Sequence, residues 1–405
     1  MNDGDDDLEG FRAQVKAWLA TNFPPSLKGR GAIMLAEGRW PGGGEVKAWR
    51  AAMGERGWGV PTWPRAYGGG GLTGGQARIL WQEMAAMEAW NPIGGMGVMM
   101  FGPTLLEYGS EAQKQAHIPP IARGEVRWCQ GFSEPGAGSD LASLRTRCED
   151  KGDHWLVNGQ KIWTSGAQWA DWCFCLVRTD PARKHDGISF LLIDMTSPGI
   201  EVRPIRLISG NSPFCETFFT DVKVAKDNLV GPLGGGWTIA KRLLQHERGG
   251  LAGGGGRGGQ FAESVSDLAK RYLGVDRRGR IDDRDRRPRI AAHDMEARAF
   301  QLTALRGMAE ARSNAAPSHT ASILKNAGTR VMQARAELIL EIMGAQGLGW
   351  EGEGFTGAEI AAVRNWLGGK ATTIYGGSAE IQNNIIAKRI LGLPDPLSPS
   401  RRREI

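Results

Sequence analysis

Apolar residues recur at helical spacing over the first third of the chain. Phe11, Val15 and the adjacent Trp18 and Leu19 repeat every three or four positions, Pro24 and Pro25 end that run, and residues 79–87 and 105–118 carry further apolar stripes. The stretch 57–72 lies between them with two prolines and six glycines, and is expected to be a structured loop. The period changes near Trp128. Residues 154–157 and 160–165 read as strands around Asn158-Gly159, a dipeptide whose tolerance of positive φ predicts a tight type I′ hairpin. Apolar runs at 172–178, 188–195 and 200–208 follow, the last two divided by Pro198-Gly199, and Phe219, Val222 and Val224 then alternate with polar neighbours. From Gly234 the helical period returns at 239–247, 261–272, 295–311, 320–343 and 380–391, and Gly392 and Pro394 stop the last helix.

The pattern therefore predicts an α+β fold with an N-terminal α-helical domain (1–127), a middle antiparallel β-barrel or sandwich domain (128–232) and a C-terminal four-helix-bundle-like domain (233–405). A cleft where the three meet is a usual place for a cofactor.

Composition narrows the class of partner. The chain of 405 residues is 41% hydrophobic and 23% charged, which suits a globular chain with a large core. A net charge of +6 is mild, and the basic residues are dispersed outside 277–289 and 401–403, so nucleic acid is not expected while small anions remain partners. Five cysteines, Cys129, Cys148, Cys173, Cys175 and Cys215, lack paired metal-ligand spacing and read as reduced thiols. No metal site is expected. An acidic start and the lack of a long apolar run predict a cytoplasmic protein with no membrane insertion.

Two segments carry candidate chemistry. Gly131-Phe-Ser-Glu-Pro-Gly-Ala-Gly-Ser-Asp140 combines small residues and hydroxyls in a form that presents N–H groups and Oγ atoms to an oxygen-rich ligand, or forms an ordinary loop. It lacks the lysine of a Walker loop and the strand-to-helix setting of a Rossmann turn. Lys161-Ile-Trp163-Thr164-Ser165 offers an indole beside two hydroxyls, suited to a flat heteroaromatic ring or to a core.

Taken with three later segments, these resemble the acyl-CoA dehydrogenase family of flavoproteins. Residues 131–143 match its first signature and Asn158-Gly-Gln-Lys-Ile-Trp-Thr-Ser its flavin strand. Phe219-Thr-Asp-Val-Lys-Val, Gly235-Gly236-Trp237 and Ile374-Tyr-Gly-Gly-Ser-Ala-Glu-Ile-Gln382 follow in the family's order, so that the resemblance runs from about Phe11 to Leu393. It implies bound FAD, an acyl-CoA substrate, an electron-transfer flavoprotein as acceptor and a homotetramer, or a heterotetramer, whose subunits share contacts to each other's FAD. By position, the Gln130 and Phe132 backbone and Ser133 meet the pyrimidine edge of the ring, Trp163 packs on it, and Thr164 and Ser165 lie toward its N5 side. Ser139 falls where the family meets both FAD phosphates and CoA, Ser378 and Glu380 in a later FAD segment, and Gly344 and Gln346 in a turn that reaches a neighbouring subunit's FAD.

Departures from the family pattern redirect the mechanism. Where many members carry a catalytic glutamate in Tyr-Glu-Gly-Thr, this chain has Gly376, which has no carboxylate. A second location used by relatives, a Glu-Arg pair on a central helix, corresponds to Glu247-Arg248 in Leu243-Leu-Gln-His-Glu247-Arg248, so Glu247 is the expected base. Arg248, Gly376 and Gly377 join Ser139 on the substrate side, with the Gly376 N–H left to bond the thioester oxygen. The Arg-x-x-Phe-Gly phosphate segment is missing, and the arginines of 277–289 are its replacement or a solvated charged loop. Eight glycines in 249–259 follow the base; they widen an acyl pocket opposite Met96, Met99, Met100 and Phe101, favouring bulky or branched acyl groups, or they serve close helix packing. The expected reaction yields a trans-2-enoyl-CoA. A non-catalytic subunit of a heteromeric dehydrogenase and a flavin oxidase on the same scaffold remain alternatives.

Overall fold

The computed structural model describes residues 3–30, 43–252, 263–312 and 320–394, with side chains outside that description at 3–7, 247–252, 308–312 and 320. The chain divides into two compact units: one holds residues up to 206 and 212–246, and the other holds 207–211 and the C-terminal region.

The first unit begins with helices α1 (Asp3–Asn22), α2 (Gly44–Glu55), α3 (Gly74–Ala86), α4 (Gly102–Tyr108) and α5 (Glu111–Ala122). Two of these start on capping boxes, Thr73 with Gln76 and Ser110 with Gln113, in which each side chain satisfies an amide the helix would leave orphaned. Gln113 also ties α5 to the sheet, its Nε2 donating to the carbonyls of Asp227 and Leu229 at 2.7 and 2.9 Å. The loop 57–72 is structured as its prolines and glycines predict, with turn hydrogen bonds such as Leu72 N–H to the Pro61 carbonyl at 2.8 Å. Gly102 is required by packing: a Cβ there would stand 2.0 Å from the buried Trp63 ring.

Eight strands follow: β1 (Trp128–Gly131), β2 (Arg147–Asp150), β3 (His154–Ile162), β4 (Trp172–Arg178), β5 (Ile188–Asp194), β6 (Ile200–Ile205), β7 (Phe214–Ala225) and β8 (Leu229–Val230). They form one sheet in the order β6-β7-β3-β2-β4-β5-β8, with β1 on β4. Pairing is antiparallel except β1 on β4 and β2 on β4, which are parallel. The Asn158-Gly159 hairpin does not form. β3 runs unbroken through it, with a register shift against β7 between Val157 and Gly159. Asn158 spends its side chain across the ladder instead, exchanging two 2.9 Å hydrogen bonds with Asp221, and Gly159 lies where a Cβ would meet Thr146 at 2.7 Å. The dipeptide thus makes a bulge that bends the strand.

The helices and the sheet share one core. Phe101 stacks on Trp128 and Phe174, Phe174 on Phe190, and Val60, Trp63, Ile239 and Leu243 pack in the same cluster. Ile239 and Leu243 belong to α6 (Gly236–Ala252). Arg242 and His246, one turn apart on that helix, both face Glu107 of α4. Arg242 forks onto its carboxylate at 2.7 Å, and His246 Nε2 stands 3.2 Å away, its imidazole held below the usual histidine range first by burial.

The second unit contains α7 (Val265–Leu273), α8 (Arg286–Arg312), α9 (Thr320–Met343), α10 (Gly357–Gly369) and α11 (Ala379–Ile385). Residues 286–289 are the first turn of α8 rather than a charged loop, and α10 was not foreseen by the apolar pattern. Among the described residues, the buried cluster here is smaller: Val265, Ala269, Ile281, Ile290, Leu338 and Ile342. No helix among the described residues is long and apolar enough to cross a membrane, and no group of acidic, histidine or cysteine side chains among them is placed to hold a metal.

Candidate active site

In the first unit, β1 ends at Gly131 and β3 at Ile162, and the residues just beyond each strand are brought together. Ile162 N–H donates to the Ser133 carbonyl at 2.9 Å, and Lys161 Nζ to the Phe132 carbonyl at 3.1 Å. Phe132 buries its ring edge-on to Phe174 and Phe190, so its side chain is not available at the surface. Gln130 is half-buried in β1, and Ser133 is half-buried with no side-chain hydrogen bond among the described residues.

Beyond β3, Trp163 adopts φ 62°, a left-handed conformation that costs a non-glycine residue about 1–3 kcal/mol. The strain turns the indole out of the sheet, leaving it 52% exposed with Phe214 edge-on at 6.0 Å. Thr164 turns the opposite way: it is fully buried, and its hydroxyl is engaged by the Cys215 carbonyl at 2.9 Å and the Thr217 hydroxyl at 2.8 Å. The hydroxyl on the Trp163 side is therefore that of Ser165, half-buried and without a protein partner among the described residues. Ser139 is exposed, beside a 3.4 Å ion pair of Asp140 with Lys184, and a Cβ at Gly136 or Gly138 would meet nothing within 4 Å.

Beneath this surface is a pair that sequence reasoning missed. Lys161 is fully buried and donates to Glu134 Oε1 at 2.8 Å. Glu134 also accepts from the Arg145 amide at 2.7 Å and from the Thr146 amide and hydroxyl at 2.9 and 2.6 Å. Burial alone would raise the Glu134 carboxyl, but the Lys161 charge and these hydrogen bonds hold it below the usual carboxylate range. The signal was available, since Lys161 falls on the inward-facing side of β3 with Trp155 and Val157, where a charge needs a partner.

The second unit presents the later segments. Gly376 and Gly377 both have positive φ, 66° and 88°, and Gln382 Nε2 donates to the Gly376 carbonyl at 2.9 Å. Ser378 caps α11, accepting from the Ile381 amide, and Glu380 is exposed, held below the usual carboxylate range first by its bond with Ser378. Gly344, at φ 58°, ends α9 and opens the turn that holds the half-buried Gln346. The two segments do not meet within one chain. α11 bonds to the first turns of α9 through Asn326 and Asn383 at 2.8 Å, whereas Gly344 lies 18 residues on, about 27 Å along the helix. Of the arginines in 277–289, Arg280, Arg286 and Arg289 are spent on Asp276, Asp283 and Glu341, which leaves Arg277, Arg278, Arg284 and Arg287 without a carboxylate partner among the described residues.

Glu247 and Arg248 fall on α6, but their side chains lie outside the described residues, as do those of Gly249 to Ala252 and all of residues 253–259. The expected pocket wall is reduced. Met100 and Phe101 are core residues, the half-buried Met96 packs against the same core, and of the four only Met99, 40% exposed on the π-helical turn Gly97–Phe101, is exposed.

A flat exposed indole beside half-buried hydroxyls fits the ring of a flavin, apolar on its faces and hydrogen-bonding along one edge. Comparison with known proteins accounts for this fit. The acyl-CoA dehydrogenase N-terminal, middle and C-terminal domain models match residues 5–125, 129–222 and 234–391. The chain is 36% identical over 398 residues to acyl-CoA dehydrogenase IpdE1 of Mycobacterium tuberculosis, covering 96% of this chain and 98% of the relative. It is 33% identical to glutaryl-CoA dehydrogenase of Desulfococcus multivorans, over 84% of this chain and 87% of that one. Among solved structures, the Tcur3481-Tcur3483 steroid ACAD superposes with a TM-score of 0.78 at 29% identity, covering 96% of this chain and 98% of the other. The ChsE4-ChsE5 complex from Mycobacterium tuberculosis gives 0.74 at 28%, with the same coverage. The fold and site define a flavin-dependent oxidoreductase. This chain belongs to the acyl-CoA dehydrogenase family, whose members oxidise acyl-CoA with FAD.

Proposed function

We propose that this chain converts an acyl-CoA to its trans-2-enoyl-CoA with Glu247 as the base. The observation that carries the reading is the left-handed Trp163, whose outward indole stands beside the 130–133 backbone and Ser165. Gln130, Phe132 and Ser133 hold the ring's pyrimidine edge, Trp163 its face and Ser165 the N5 side. Ser139, Ser378 and Glu380 hold the remainder of FAD, with Gly344 and Gln346 reaching the FAD of a neighbouring subunit. Bound FAD supplies the acceptor for the hydride that leaves the β-carbon. Glu247 Oε takes the α-proton, and the Gly376 N–H donates to the thioester oxygen as negative charge gathers there. Arg248 and Gly377 line the substrate beside them, and an electron-transfer flavoprotein reoxidises the enzyme in the cytoplasm.

The acyl group is bulky and ring-bearing. This rests on the glycines that follow Glu247, on the exposed Met99, and on the relative named a steroid ACAD. The test is anaerobic bleaching of the flavin's visible absorbance with a panel running from butyryl-CoA to ring-bearing acyl-CoAs. Ring-bearing thioesters should bleach it fastest, and E247Q should lower the rate by about a thousandfold while FAD stays bound. Normal bleaching by E247Q would remove the base from this scheme, and rapid reoxidation in air would point to an oxidase.

A specific observation favours a second reading of the assembly. Gly376 lacks the carboxylate found there in many members, and two of the solved relatives are named as two-component proteins. A chain of this kind would work beside a different subunit in a heterotetramer. Purified alone, it would then bind FAD poorly or leave it unresponsive to acyl-CoA. A homotetramer that is fully bleached by substrate would exclude that.

A further inference from the structure

We propose that Lys161 is a positioning residue for the flavin: its buried ammonium turns the Phe132 carbonyl inward and thereby aims the Ser133 amide N–H outward at the ring's pyrimidine edge. This rests on the flavin placement given above. The 132–133 peptide is planar and trans, so its N–H points opposite to its C=O. With that carbonyl held 3.1 Å from a fully buried Nζ, the Ser133 N–H has only the outward direction left. The next carbonyl, of Ser133, is also drawn inward, by the Ile162 amide at 2.9 Å. The segment cannot sink further, because a Cβ at Gly131 would already stand 2.8 and 2.9 Å from the Sγ atoms of Cys173 and Cys175.

Lys161 sits two residues before Trp163, so the donor at the ring's edge and the indole on its face are both anchored at the end of β3. Glu134 has a different duty. It neutralises the buried ammonium and collects the Arg145 and Thr146 amides, holding the loop from below without touching the Phe132 carbonyl.

Three variants of the FAD-bound protein separate these duties, read by FAD affinity, the visible flavin spectrum and the flavin midpoint potential, beside the unfolding midpoint. K161M should weaken FAD binding about tenfold or more, the loss of one aligned donor, and should move the potential negative, because an N–H at the pyrimidine edge favours the electron-rich reduced ring. E134Q should lower the unfolding midpoint yet leave spectrum and potential in place, since an amine at Lys161 still donates to the Phe132 carbonyl. Should K161M not fold, the uncharged pair K161M/E134Q removes the stranded charge and should show the same shift in potential. Unchanged affinity and potential in the Lys161 variants would overturn the proposal, as would a shift in E134Q equal to that in K161M, the mark of a general loosening. W163A locates the failure. If it alters the spectrum while K161M does not, only the role of Lys161 is lost; if neither does, the flavin placement falls with it.

Discussion

The two compact units are unequally finished. In the first, Phe101, Phe174 and Phe190 are fully buried in a cluster that runs from helices into the sheet, and Trp49 is fully buried in another among the helices. Among the described residues the second has a buried cluster of only six residues, while Met295, Leu302 and Leu305 on α8, Met332 on α9 and Leu348 are each at least half exposed. A large apolar side chain left in water forgoes about 1.5–3 kcal/mol, and apolar surfaces of this kind mark association sites. The first unit is stabilised by its own packing; the exposed apolar residues of the second are where the proposed assembly would place contacts with other chains.

Paired substitutions test that contrast most strongly. F101A removes a ring stacked between Trp128 and Phe174 and should cost about 3–5 kcal/mol in chemical denaturation. L302E should leave helix content intact and lower the mass of the assembly by light scattering; an unchanged mass would place Leu302 on a free surface. A smaller effect is expected in acid. Glu134 has a native pKa below its unfolded value, so its contribution is complete above the ordinary carboxyl range and disappears as pH falls through the native pKa. Wild type and E134Q should therefore differ in urea midpoint at neutral pH and converge in acid; a constant gap would mean that the ionised carboxylate contributes nothing. Smallest is the cap of α10, where Thr356 and Glu359 form the capping box: T356A should cost about 1 kcal/mol, with Glu359 still held by Tyr272 at 2.6 Å.

The legible parts of the sequence were those where one periodicity dominates. Helix α9 at 320–343, the strands at 172–178 and 188–194, and the change of period near Trp128 could all be read from apolar spacing. Asn158-Gly159 misled because its local preference for a turn is weaker than a nine-residue strand paired on both sides, which absorbs the extra residue as a bulge. α10 was obscured by its glycines and by an apolar face too broad to show a stripe. In the site, motif resemblance supplied the contact segments but not their supports: that Thr164 points inward, that Trp163 is left-handed and that Lys161 pairs with Glu134 depend on strand ends meeting in space.

Gly376 also limits which descendants of this sequence are accessible. Its backbone is at φ 66°, where any residue bearing a Cβ is disfavoured by about 1–2 kcal/mol. Placing a glutamate at this corner would therefore cost stability unless the turn changed with it. An acid–base group on this chain is therefore carried at less cost at a position whose backbone already tolerates a side chain.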